Sequence, residues 1–328
     1  MSFYNLNTYN NIKKINLVLL ALVTFLALSS VAFLPFIGFL GLAVLPIPAA
    51  LLILSGRKRD SIICTILGVA PLFFFDYVLA IVIISLVTAI SFVYKIYVDK
   101  NRSVLFAVSK VFLAFLGIVI LYILMESVLG RVNFVSEFLK SYNGYIDNLP
   151  DDLIMKKYIS IMGINEAQFN SVLEQSQKFL RFIPYLFPGV WIVYCMSSSV
   201  INYFISYTVF KKQGINIKPF VSFKKWDIAW YWCWGIIIGL VLILLPHFNP
   251  TMDVLIDVIG FNLLIIFGLL YSVLGVSVIW GIFDRFKVSI MWRTFFFILF
   301  GLFIGFIIIL PIIGLVDVWV NFRKLKRG

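Results

Sequence analysis

The sequence predicts an all-α fold: a polytopic transmembrane helical bundle of about nine spans (eight to ten) with a helical extracytoplasmic loop. Three observations predict it. Of 328 residues, 62% are hydrophobic and only 13% charged, whereas a soluble domain is about half apolar and about a quarter charged. The chain holds 34 Phe and has a mean hydropathy of +1.05, more apolar surface than one soluble core of this size can hide. Its apolar runs also recur at the roughly 20 residues that a helix needs to cross a hydrocarbon layer about 30 Å thick. Together these exclude a soluble enzyme, a disordered chain and a disulfide scaffold. Cys64, Cys195 and Cys233 lie scattered in apolar stretches, which predicts buried thiols acting as small hydrophobes.

The spans follow in order. The run from Ile15 to Leu54 is too long for one crossing, and Pro35 with Gly38 divides it into Ile15–Leu34 and Phe36–Leu54. Pro46 and Pro48 distort the second of these. The first reads as an uncleaved helix, since the apolar pattern continues straight into the next span. Pro71 and Asp76 divide the following run into Ser61–Phe75 and Tyr77–Ile96. Val104–Met125, Ile183–Phe210, Ile228–Leu245, Val254–Phe283 and Met291–Val316 complete nine. Residues 1–210 form a six-span bundle including the external loop 130–182. Residues 211–328 hold a basic loop and three further spans.

Orientation follows from Lys and Arg, which collect in cytoplasmic loops. With the N-terminus inside, Arg57–Arg59, Lys95, Lys100, Arg102, the five lysines of Lys211–Lys225, and Arg285, Lys287 and Arg293 all fall on the cytoplasmic side. The ninth span breaks the pattern by placing Arg323, Lys324, Lys326 and Arg327 outside. Either Val254–Phe283 holds two short or re-entrant segments, or the C-terminus is external, and a cytoplasmic C-terminus is the preferred expectation. The formal net charge of +12 is spread over loops, which predicts contact with anionic lipid rather than nucleic acid.

The external loop is patterned. Val135, Phe138, Leu139, Tyr142 and Ile146 recur at helical spacing, as do Phe169, Val172, Leu173, Ser176 and Leu180. Asn165 with Gln168 predicts a second helix starting at about Glu166. Two readings stand, a lid of amphipathic helices over a binding mouth and a structural connection packed on the bundle.

Ionisable groups within a bilayer are costly, so each is a candidate site. Asp76 falls at an external turn, as ligand group or solvated turn residue. Asp253 and Asp257 share one helix face, which could hold a cation or share a proton, and a first-turn pair favoured by the helix dipole explains them equally. Asn202 and Asn262 could bond between helices. The ligand-binding candidates are therefore Asp76, Asp253, Asp257 and Asn262. His247, the one histidine, reads as a structural turn residue, Glu126 as a span end and Lys110 as a snorkelling side chain. No catalytic, metal or cofactor motif is present, so neither enzyme activity nor a cofactor is expected. Gly235-x-x-x-Gly239 and Gly301-x-x-x-Gly305 predict close helix packing within the bundle, and Trp226, Trp230, Tyr231, Trp232 and Trp234 an interfacial belt.

Several segments together carry a resemblance. They are Met162-Gly163-Ile164-Asn165-Glu166-Ala167-Gln168, Phe187-Pro188-Gly189-Val190-Trp191, Phe210-Lys211-Lys212-Gln213-Gly214, Leu245-Pro246-His247-Phe248, Leu270-Tyr271-Ser272-Val273-Leu274-Gly275, and Gly314-Leu315-Val316-Asp317-Val318-Trp319 followed by Asn321-Phe322-Arg323-Lys324. In this order the chain resembles the YybS-like family of bacterial membrane proteins, whose function is unknown. The N-terminal part is distantly similar to the substrate-binding components of energy-coupling factor transporters. That similarity implies six helices, a small ligand near the outer face and partner ATPases. The Ala-x-x-x-Ala contact of those components has no counterpart here, since Phe25 follows Ala21.

Two functions are expected from this. One is a substrate-binding or transport-related membrane component without its own ATPase, in the bacterial plasma membrane. The alternative is a scaffold or regulatory subunit that organises other membrane proteins. The lipid bilayer, other membrane proteins and a small solute are the expected partners.

Overall fold

The computed structural model describes residues 16–33, 38–129, 134–148, 166–245, 250–301 and 304–325. Every regular element among them is a helix. The chain divides into two compact units: Met1–Pro184 with Tyr194–Phe220, and Tyr185–Val193 with Val221–Gly328.

In the first unit, helix α1 is Leu17–Phe33, and Asn16 Oδ1 accepts the Val18 N–H at its start. The expected second span is two pieces, α2 Gly38–Val44 and α3 Ile47–Leu54, broken at Pro46 because proline has no N–H to continue the ladder. Helix α4 is Lys58–Val69 and passes at Pro71 into the 3₁₀ turn Ala70–Phe74. Helices α5 Tyr77–Asp99 and α6 Val104–Val128 begin where Asp76 and Ser103 accept the Leu79 and Phe106 N–H groups. Both are ordinary N-caps. Midway along α6, Leu113, Ile120 and Leu124 are each more than half exposed, as lipid-facing side chains are and soluble ones rarely.

The segment expected to be external contains α7 Phe134–Asn148 and α8 Glu166–Phe182, the latter starting where the sequence places it. The two run antiparallel. Tyr142 Oη donates to the Leu180 carbonyl and Gln177 Nε2 to that of Ile146. Ile146 and Leu173 are buried between them, while Phe138 and Ser176 point out. The stripe is therefore spent largely on pairing the two helices. The side chains of Val135, Phe169 and Val172 and residues 149–165, the expected turn and Asn165 among them, lie outside the described residues.

Helix α9 is Phe187–Lys212. In the second unit, Cys233–Leu244 is α10, Pro250–Arg285 is α11, Ile290–Gly301 is α12 and Ile304–Val320 is α13. Gly235 and Gly239 on α10 face Phe267, Leu264 and the Gly260 carbonyl on α11, the expected packing within the bundle. Gly301 and Gly305 fall on two different helices, and an added Cβ at either meets no described residue within 4 Å. Among the described residues the second glycine pair makes no such packing contact.

Val254–Phe283 belongs to one unbroken helix, so it holds no pair of re-entrant segments. The break falls instead in the expected ninth span, where α12 and α13 run in opposite senses beside α11. Helix α12 starts at the C-terminal end of α11, with Arg293 bonded to Asp284 and Phe297 stacked on Trp280. Helix α13 ends there: Arg285 donates to the Phe322 carbonyl, and Arg323 Cγ lies against Gly281.

Four helical stretches among the described residues are long and apolar enough to cross a membrane: Tyr77–Asp99, Val104–Val128, Leu173–Lys212 and Val254–Arg285. Leu17–Val31, Gly38–Leu54, Trp230–Leu244, Ile290–Gly301 and Ile308–Val320 are apolar but shorter, so helix length alone does not establish nine crossings. The three cysteines are buried free thiols.

Candidate functional site

Asp76 has a defined job. One carboxylate oxygen caps α5, and the other accepts Tyr122 Oη at 2.9 Å from α6. Partly buried, it ties the start of α5 to α6. Asn262, more than three turns into α11, accepts the Gly189 N–H and donates to the Tyr185 and Val258 carbonyls. Asp257 is partly buried one turn before it. The side chain of Asp253 and residue His247 lie outside the described residues.

The interior of the first unit carries a second polar set. Tyr94 Oη donates to Asn202 Oδ1, and Asn202 Nδ2 to the Ala43 carbonyl, each at 2.6 Å and fully buried. One helical turn along, Tyr203 Oη donates to the Lys218 carbonyl and the Lys218 N–H to Tyr97 Oη. Tyr203 has one proton and spends it on Lys218, so Tyr97 is the donor in the 2.7 Å bond between the two phenols. Lys218 Nζ closes on the carbonyls of Asn101 and Arg102. Two loops that the charge pattern assigns to one membrane face therefore meet at that end of the unit.

The densest charged site was not among the sequence candidates. Asp317 on α13 is fully buried, and the side chain of Arg323 is only 3% exposed. Arg323 donates twice to Asp317 Oδ2, at 2.8 and 3.1 Å, and also to Ser277 Oγ and the carbonyls of Lys224 and Trp226. A buried charge survives only when paired and hydrogen-bonded, and both conditions hold. Above the pair opens a cleft of about 340 Å³, lined on its charged side by Lys224, Lys225, Asp284, Arg285, Arg323 and Lys324. Asp284 is shared between Lys224 and Arg293, and Arg293 sits over the Trp280 ring. In sequence the available signal was a lone aspartate ending a long apolar run with an arginine six residues on.

Among the described residues no group of three or more His, Cys, Asp or Glu is placed to hold a metal ion. No curated protein matches the chain, and no solved structure does. The family model of a predicted membrane protein, DUF2232, matches residues 21–318, a stretch that takes in Asp76, Tyr94, Asn202, Asn262 and Asp317 and stops short of Arg323, and the chain belongs to that family.

Proposed function

We propose that this chain is a non-catalytic scaffold or regulatory subunit of a bacterial plasma membrane. The observation that carries the reading is the engagement of polar side chains within the apolar helices. Asp76, Tyr94, Tyr97, Asn202, Tyr203, Asn262 and Asp317 are each held by neighbouring helices or loops. Such groups rigidify a bundle and leave little for solute recognition or acid–base work. In this reading α1, α2 with α3, α4, α5, α6, α9, α10 and α11 make eight crossings. Helices α12 and α13 form a hairpin whose ends share one side. Both termini are then cytoplasmic, and the loop charges obey the positive-inside bias throughout.

A second reading is a substrate-binding component of a transport system, favoured by the six-span pattern up to Phe210 and its resemblance to energy-coupling components. Purification in mild detergent separates the two. Stoichiometric co-purification of another membrane protein, with no bound small molecule, supports the scaffold. A bound solute that disappears on Asp76→Ala or Asn262→Ala overturns it in favour of the second reading.

A further inference from the structure

We propose that the cleft over Arg323 binds a phosphate group, and that it does so at the cytoplasmic membrane surface. The balance of charge is the first observation. Lys224, Lys225, Arg285, Arg293, Arg323 and Lys324 gather around it, against Asp227, Asp284 and Asp317. Asp317 is spent on Arg323, and Asp284 on Lys224 and Arg293. Among the described residues, Lys225, Arg285 and Lys324 are left with no carboxylate partner.

The second observation is that the site is built rather than merely crowded. Arg323 is held by five bonds within the unit, so the floor of the cleft is fixed before any ligand arrives. Lys324 is presented by a turn in which it adopts a φ of 52°, a left-handed conformation that non-glycine residues rarely take. Asn321 clamps that turn by bonding both the N–H and the carbonyl of Leu325 and accepting the Lys324 N–H on its own carbonyl. Strain of this kind persists where surrounding contacts over-determine it, often at ligand clamps.

The third is location. Trp319, Phe322 and Phe286 beside the cleft are 59%, 41% and 73% exposed, an aromatic rim of the sort found at headgroup level. A fixed guanidinium and several lysines suit the charge and oxygen-rich shape of a phosphate, and a basic pocket between helices at this face suits a lipid headgroup. The same chemistry would also accept a free phosphate compound.

The test uses the full chain in a neutral detergent, with tryptophan fluorescence reading titrations of dioctanoyl phosphatidic acid, dioctanoyl phosphatidylcholine and inorganic phosphate. Saturable binding of phosphatidic acid is expected, weakened roughly tenfold or more in K225A/K324A and retained in K225R/K324R. Phosphatidic acid alone binding assigns the site to lipid. Inorganic phosphate competing at similar concentration assigns it to a free ligand. The proposal is overturned if neither phosphate probe binds, or if K225A/K324A binds as tightly as the parent. It is also overturned if phosphatidylcholine binds equally well. Should K225A/K324A lose stability, K225R/K324R decides: restored binding supports the site, and continued loss rejects it.

Discussion

Arg323 and Asp317 show at single-residue scale how this chain keeps charge inside an apolar fold. Each is almost wholly buried, so removing one leaves the other uncompensated, at a cost of about 3–5 kcal/mol for a buried pair. Arg323→Met should therefore lower the unfolding midpoint strongly, and more than Asp317→Asn, because it also strips bonds from Ser277, Lys224 and Trp226. The double variant D317L/R323M should lose clearly less than the sum of D317L and R323M, and strict additivity in that cycle would deny the coupling. Tyr271 is the converse case. It is fully buried, and its hydroxyl has no hydrogen-bond partner among the described residues. Tyr271→Phe should be neutral or stabilising by up to about 1–3 kcal/mol, the penalty for burying an unpaired polar group. A clear loss of stability would show that the hydroxyl is bonded. Sequence reading missed the Asp317–Arg323 pair for a physical reason. Six residues is not a helical contact spacing, and the two meet only because the chain leaves the helix at Val320 and turns back.

At the scale of elements, the decisive contact is that of α13 on α11. A Cβ on Gly275 would lie 2.1 Å from the Leu310 carbonyl, and one on Gly314 equally close to that of Tyr271. The helix backbones touch, which only glycine permits. Gly314→Val should thus force the helices apart, with a loss of about 1–3 kcal/mol for overpacking, read as a lowered midpoint in detergent. An unchanged midpoint would mean the close approach is absent. Much of the helix map was legible beforehand. Pro71 and Asp76 mark the boundary between α4 and α5, Pro46 lies in the span it was expected to distort, and the α8 start at Glu166 followed from its pattern. The break between α12 and α13 was not legible, because hydropathy runs unbroken from Met291 to Val316 and the internal proline, Pro311, sits inside α13 rather than at the break. Proline and glycine mark breaks only when tertiary packing uses them.

For the molecule as a whole, the placement of charge carries the argument. Lys218 bonds the Asn101–Arg102 loop in one unit. In the other, Lys224, Arg285, Arg293 and Arg323 gather at one end. Within each unit, loops that share a sign of charge share an end, as the positive-inside bias requires. In the proposed topology the conflict posed by the ninth span is absent, because α12 and α13 would return the chain to the side it left. The candidate site was less legible than the fold: Asp76 and Asn262 each bond neighbouring segments, and the cationic cleft depends on a tertiary meeting of three sequence segments. The central claim is that residues 285–290 and 321–325 face the same compartment, the cytoplasm. The direct measurement is labelling of single cysteines, Lys287→Cys and Leu325→Cys, after Cys64, Cys195 and Cys233 are replaced by Ala. A membrane-impermeant maleimide should leave both untouched in intact cells and label both after permeabilisation. Labelling of Leu325→Cys in intact cells, with Lys287→Cys still protected, would contradict the account.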